Sequence, residues 1–313
     1  MEIPVYLFTG FMDSGKTTLI KDTLFNSEFS DGGKTLLFVC EEGEEEYDPA
    51  ELKKHHVVLE KIENEEDFTE EHLTEIYRKY LPDCIFIEYN GTWQMSTFAD
   101  MTLPEDWELV QTISTVDATT FEMYLSNMRS MIMEQLFLSD VVVFNRTTDD
   151  TPKAKFRRAV KAQNRKAQIV YERENGEVDN QDDEELPYDM SAKHLDISDA
   201  DYGIFYLDAM DHPKDYAGKT ISYRALVYRP EDYKAHALVP GRFAMTCCVE
   251  DIQFAALVCS WDKADTVTDE GWVILTAKVN YKFHMAYGRK GPVLTYISHE
   301  DCDPPEQAVA TFY

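Results

Sequence analysis

Short apolar runs alternate with stretches of helical spacing through the first half of the chain. Apolar residues crowd at 3–8, 35–40, 84–88, 109–116, 141–145 and 168–171, strand-length runs of the kind buried on both faces. Between them, residues 16–25, 66–80, 119–138 and 152–164 place apolar side chains three and four apart, the period of an amphipathic helix. Strands alternating with helices predict one α/β domain with a mostly parallel sheet. Beyond it, Glu172 to Asp189 is acidic and turn-rich and reads as a linker. Strand-like runs separated by turns follow at 220–228, 241–249, 254–259, 272–281 and 293–298, predicting a smaller all-β domain, a barrel or sandwich of OB type. The predicted division is an α/β domain over 1–175, a linker over 176–196 and a β-domain over 197–313.

Composition narrows the function classes. The chain has 313 residues, enough for two domains, with 30 Lys+Arg against 59 Asp+Glu and a formal charge of −29. At 44% hydrophobic it folds despite that charge, and so negative a surface repels nucleic-acid phosphates and anionic lipid. Nucleic acid is therefore excluded as a main partner. No apolar run approaches the ~20 residues of a membrane span. The start, Met1-Glu2-Ile3-Pro4, lacks the basic region of a secretory signal, so the predicted location is cytoplasmic. Cys40, Cys84, Cys247, Cys248, Cys259 and Cys302 are irregularly spaced, which in a reducing compartment points to buried thiols or metal ligands.

Gly10-Phe11-Met12-Asp13-Ser14-Gly15-Lys16-Thr17 fits G-x-x-x-x-G-K-[ST], after a predicted strand and at the start of a predicted helix. The glycines let backbone N–H groups from Gly10 to Thr18, with Asp13, Ser14 and Gly15 between, curl round a phosphate chain. Lys16 reaches its β- and γ-phosphates and Thr17 ligates Mg²⁺. Glu88 ends the third strand, where a second carboxylate meets the Mg²⁺ or its water, and Gly91 lets backbone approach the γ-phosphate. Glu41 follows the second strand, in a loop that is either solvated or ordered by nucleotide. Asn145 ends the next buried strand, where a base-reading loop belongs. Guanine readers present Asn-Lys-x-Asp, but here Arg146 stands for Lys, Thr148 for Asp, and Asp149 comes one residue late.

These residues, in this order, carry a family likeness. With Gly10-Phe11-x-x-Ser14-Gly15-Lys16-Thr17-Thr18, Glu41-x-Gly43, Glu88-x-x-Gly91, Thr115-Val116-Asp117, Gln135-x-x-x-Ser139-Asp140 and Asn164-x-x-Ala167, the first 175 residues resemble the CobW-like GTPases, the metallochaperone group that includes HypB and UreG. The resemblance implies a slow, Mg²⁺-dependent GTP hydrolase that delivers a transition metal, such as Zn²⁺, to a client metalloprotein and pairs with a second copy when nucleotide binds. It places Lys16, Glu41 and Glu88 in catalysis, the last two facing metal and attacking water, with Asn145 against the base. Two departures stand out. The family's Cys-x-Cys-Cys after the Glu-x-Gly loop is missing, His55-His56 being the only soft-ligand pair there, and Arg146/Thr148 leaves ATP open beside GTP.

Asp215-Tyr216-Ala217-Gly218-Lys219-Thr220-Ile221 and Arg242-Phe243-Ala244-Met245-Thr246-Cys247-Cys248-Val249-Glu250-Asp251 resemble the soluble C-terminal domain of YcgQ-type proteins, subunits of a proposed permease. Vicinal Cys247 and Cys248 are candidate ligands for a transition metal, with His236, His284, His299 or Cys302 as completing partners, or one packs inside the barrel. Met123, Met128, Met131 and Met133 read as core packing on one helix, and the basic residues from Lys153 to Lys166 as a solvated face. The alternative to a hydrolase is a non-catalytic nucleotide-gated scaffold that senses or carries metal through Cys247-Cys248 for a transport system.

Overall fold

In the computed structural model the described residues are 2–25, 32–41, 43, 45–179, 186–228, 237–245, 252–261 and 271–312. The chain forms two compact units, Met1–Lys153 with Gln163–Asp182, and Ala154–Ala162 with Asp183–Tyr313.

The first unit is built on seven strands: β1 (Ile3–Thr9), β2 (Thr35–Val39), β3 (Val57–Lys61), β4 (Cys84–Glu88), β5 (Trp107–Asp117), β6 (Val141–Thr147) and β7 (Gln168–Arg173). All pair in parallel, in the order β3-β2-β4-β1-β5-β6-β7. A strand turns alternate side chains to opposite faces, and here both faces are apolar. Val5, Leu7, Leu36, Phe38, Ile85 and Ile87 join one core, while Phe8, Leu37, Val39 and Phe86 join the other with Ile20 and Leu24 of helix α1 (Lys16–Phe25). Central β1 lies between β4 and β5, where successive crossovers diverge and the carboxyl edge opens a crevice.

Two helices and one strand of this unit lie outside the expected pattern. Helix α2 (Pro49–Lys54) is a six-residue helix capped by Asp48, too short to show a period, and leads into β3. His55 and His56 form the turn between them, His55 against the Phe25 ring and His56 in the left-handed region at φ 56°. The predicted helix over 66–80 narrows to α3 (Glu70–Tyr80), because the Thr69 side chain caps it. After α4 (Met95–Asp100), the predicted 119–138 helix is two: α5 (Phe121–Asn127) and α6 (Arg129–Phe137), broken at Met128, whose backbone is non-helical at φ −138° and ψ 36°. The break corrects the methionine reading. Met133 is buried, but Met123, Met128 and Met131 are exposed, since the two short helices no longer share one face.

Helix α7 (Lys153–Gln163) buries Phe156, Ala159 and Val160, so its basic residues surround an apolar stripe. The second unit adds β8 (His194–Asp196), helix α8 (Tyr202–Asp211), β9 (Thr220–Tyr228), β10 (Ala237–Met245), β11 (Ile252–Ala256), β12 (Cys259–Ser260), β13 (Trp272–His284) and β14 (Arg289–Asp301). Strand β9 pairs with β10, β10 with β12, β12 with β14, β14 with β13 and β13 with β9, closing a ring. All these pairings are antiparallel except β12 with β14. Its inward residues alternate strictly: Ile221, Tyr223, Ala225 and Val227 on β9 face Val273, Leu275, Ala277 and Val279 on β13 in one core. The barrel expectation holds, and the all-β one is amended by α8, which adds Tyr202 and Phe205 to that core. The sequence alone shows no amphipathic stripe there, because α8 is apolar nearly all round. The vicinal pair Cys247-Cys248, and His236, lie outside the described residues.

Among the described residues no helix is long and apolar enough to cross a membrane. Gly203 on α8 shows how closely the second unit packs: a Cβ there would stand 1.9 Å from the Thr311 carbonyl oxygen. Gly203→Ala is expected to destabilise this unit by about 2–4 kcal/mol, read as a lowered denaturant midpoint, because backbone on backbone cannot yield.

Candidate functional site

The crevice is lined by the turn from β1 into α1. Its conformation is one that side chains resist: Gly10 has φ 130°, Gly15 φ 93°, and Asp13 φ 57°. A Cβ on Gly10 would stand 2.3 Å from the Thr115 carbonyl oxygen, and one on Gly15 2.5 Å from Asn145 Nδ2. From the other side, Gly91 in the loop after β4 presses on the turn. A Cβ on it would lie 2.4 Å from the Gly10 oxygen and 2.9 Å from the Met12 nitrogen. Ser14 Oγ bonds Thr115 Oγ1 at 2.7 Å. Below the turn, the Gly10 N–H donates to the buried Gln135 side chain at 3.4 Å, and Gln135 Nε2 donates to the Trp93 carbonyl at 3.1 Å.

Lys16 folds back over this turn. Its ammonium donates to the Gly10 and Phe11 carbonyls at 2.9 Å each and to Glu41 Oε1 at 3.0 Å. Both side chains of that ion pair are nearly inaccessible, at 2% and 8% exposed, so the charges meet in low dielectric and depend on each other. The second Glu41 oxygen accepts the Gly91 N–H at 2.7 Å. One carboxylate thus ties the phosphate-loop lysine to the β4 loop. The Asn90 side chain donates to the Cys40 carbonyl at 2.9 Å, holding the two loops in register.

Beside them Thr17 Oγ1 donates to Glu88 Oε1 at 2.5 Å, and Tyr47 OH donates to Glu88 Oε2 at 2.7 Å. Burial raises the Glu88 pKa, and the hydrogen bonds from Thr17 and Tyr47 and the Lys16 charge only partly offset it. A divalent cation beside Thr17 and Glu88 would relieve that cost, so the donor set, one hydroxyl and one carboxylate with room for water, fits Mg²⁺. Cys40 lies buried near both acids, its thiol pushed far above the usual range by burial, then by Glu88 and Glu41, which makes it a poor metal ligand. Cys259, inside the barrel, is likewise pushed up to about 12 by burial. Among the described residues no three His, Cys, Asp or Glu side chains converge as a metal site.

Two contiguous pockets follow the loop. One of about 180 Å³ is lined by Asp13 to Thr18, Glu41, Gly43 and Glu45. The other, of about 140 Å³, runs past Thr18 and Asp22 to Asn145, Arg146 and the end of β7. Asn145 Nδ2 donates to the Ser14 carbonyl at 2.6 Å, and Arg146 donates to the Asp13 carbonyl at 3.2 Å and to Asp117 Oδ2 at 2.6 Å. Arg146 thereby braces the loop from the position where base readers carry a lysine.

Every predicted phosphate-site residue converges here: Gly10, Asp13, Ser14, Gly15, Lys16, Thr17, Thr18, Glu41, Glu88 and Asn145. Thr148 and Asp149 do not. The Thr148 N–H is taken by Thr151 Oγ1, and Asp149 binds Arg173 at 2.5 Å. Sequence reasoning missed Tyr47 and Gln135's role under the loop; only Gln135's place in the family-ordered motif marked it.

A family model described as CobW/HypB/UreG, nucleotide-binding domain, matches residues 4–171, and one described as DUF1980 C-terminal domain matches residues 172–309. A search of curated proteins finds no match. Similar solved structures include the Zn(II)-bound YjiA GTPase from E. coli, 17% identical over 82% of this chain and 89% of that one, with a TM-score of 0.42. A Zn(II)-bound triple mutant of YjiA gives 17%, 82%, 89% and 0.43. The hydrogenase maturation factor HypB from Archaeoglobus fulgidus gives 17%, 54%, 80% and 0.37. With its phosphate loop inside a match that spans more than half of the chain, this protein belongs to the CobW/HypB/UreG family of P-loop nucleotide-binding proteins.

Proposed function

We propose that the chain is a slow, Mg²⁺-dependent GTPase of metallochaperone type, acting in the cytoplasm and coupling nucleotide state to the handling of a transition metal for a client protein. The observation that carries this reading is the convergence of Lys16, Glu41, Thr17 and Glu88 on one preformed phosphate loop. Its division of labour is an α/β nucleotide domain over 1–175 and a β-domain over 197–313, joined by an acidic linker.

Lys16 binds the β- and γ-phosphates. To do so it exchanges Glu41 for phosphate, because its three N–H donors are already taken by the Gly10 and Phe11 carbonyls and Glu41. The same exchange frees the Gly91 N–H for a phosphate oxygen and releases the Glu41 carboxylate to orient water. Water then attacks the γ-phosphorus, the bond to the β–γ bridging oxygen breaks, and nucleoside diphosphate and inorganic phosphate form. Thr17 and Glu88 would hold Mg²⁺, which supplies charge neutralisation at the phosphates when bound. The remaining catalysis is positioning and charge stabilisation by the loop amides. For the metal cargo the reading relies on Cys247 and Cys248.

Lys16→Ala is expected to lower affinity for GTP and GDP by about two to three orders of magnitude by calorimetry, the loss of a charge-assisted contact in an enclosed site. Glu41→Gln separates binding from turnover. It is expected to bind GDP at least as tightly as the wild type, since the competing anion is gone, while single-turnover hydrolysis falls about 100-fold. Unchanged hydrolysis removes Glu41 from the mechanism. For the cargo, a Cys247→Ser/Cys248→Ser variant is expected to lose the zinc that the wild type retains after loading and desalting, measured by elemental analysis.

A further inference from the structure

The pocket of about 140 Å³ beyond Thr18 carries polar groups that the phosphate site does not use. Strand β6 bulges at its edge. Phe144 pairs with Tyr171, and the next pair is Thr147 with Arg173, so Asn145 and Arg146 together oppose Glu172 alone. Arg146 within the bulge takes the left-handed conformation, φ 53°. The bulge brings Asn145 and Glu172 onto the same pocket wall, and the Thr147 hydroxyl fastens it to the Glu172 carbonyl at 2.9 Å. Past it the chain turns away, which is why Thr148 and Asp149 are not among the lining residues.

The groups left over on that wall are acceptors. Asn145 Oδ1 is buried with no hydrogen-bond partner among the described residues, its amide having turned Nδ2 to Ser14. The Glu172 carboxylate, half-buried, has no hydrogen-bond donor among the described residues. The two guanidinium groups nearby are already spent, Arg146 on Asp117 and Arg173 on Asp149 and Asp179. A wall of acceptors beside a phosphate loop selects a base that donates. Guanine offers adjacent N1–H and N2–H groups at one edge, whereas adenine offers one amino group next to the N1 lone pair, which a carboxylate repels.

We infer that Glu172 is the base-reading residue of this chain, its carboxylate accepting N1–H and N2–H of guanine in place of the aspartate that Asn-Lys-x-Asp loops supply. The inference rests on the nucleotide reading above and assigns that site its base. Burial raises the Glu172 pKa, and the nearby Asp22 adds to the effect. Paired N–H donors would satisfy this unpartnered carboxylate. Glu174 and Asp22, on the same pocket, are exposed and reach water without a ligand.

The test is equilibrium binding of GDP, ADP and xanthosine diphosphate, with Mg²⁺, to the full chain. The wild type is expected to prefer GDP. Glu172→Gln is expected to weaken GDP by about 10- to 100-fold, the cost of one bidentate base contact, and to leave ADP unchanged. It is also expected to gain xanthosine diphosphate, whose C2 carbonyl accepts the new amide N–H. Glu174→Gln is expected to leave all three as in the wild type. A Glu172→Gln chain that holds GDP as tightly as wild type overturns the inference, as does one that loses GDP and ADP equally, or a wild type that does not distinguish them. Should Glu172→Gln fail to melt cooperatively, Glu172→Asp replaces it, with the same GDP-selective loss expected from a carboxylate withdrawn by one methylene. A wild type that binds none of the three diphosphates overturns the nucleotide reading itself, and an intact GDP preference in Glu172→Gln overturns the base reader alone.

Discussion

The site depends on a close approach of two backbones. The loop after β4 rests on the turn after β1 at a separation that leaves no space for a Cβ on Gly91, and the turn in turn leans on Thr115 with no space for one on Gly10. That contact places the Lys16–Glu41 pair. It sets the Gly91 N–H within reach of Glu41, Glu41 within reach of Lys16, and Lys16 over the carbonyls of Gly10 and Phe11. Close-packed backbone cannot adjust by rotamer changes, so the geometry of the phosphate loop is held before any ligand arrives.

On the proposed mechanism, electrostatics gives this rigid frame two states. In a chain of charge −29 the buried Lys16 is a rare concentrated positive charge, and Glu41 neutralises it. An isolated buried ammonium is costly, and so is an isolated buried carboxylate, so whichever anion holds Lys16 decides where Glu41 goes. On the proposed reading, the Glu41 carboxylate is an internal competitor of the phosphate chain.

Much of the first unit was legible. Long apolar runs for β1, β2, β4 and β6, and the glycines and lysine of the loop, are local signals that tertiary context does not override. Pattern reading failed where elements were short or the deciding contact was distant. Helix α2 spans six residues and shows no period. The four methionines share one helix face only if the helix runs unbroken, and it breaks at Met128. Glu41 in an acidic loop looks like any solvated carboxylate until Lys16, 25 residues away in sequence, claims it. The bulge that puts Glu172 on the pocket wall is a matter of register between β6 and β7, which no spacing along either strand encodes.

The ring of the second unit carries a consequence for the order of folding. Its one parallel closure joins β12 to β14, across the whole β13–β14 hairpin, and Ala244 pairs with Ala310. The ring cannot shut until its last strand has been synthesised, whereas the seven-stranded sheet has all its strands by Arg173. During synthesis the phosphate loop is therefore complete while the barrel is still an open chain, and a nucleotide captured at that stage stabilises one half of the molecule before the other exists.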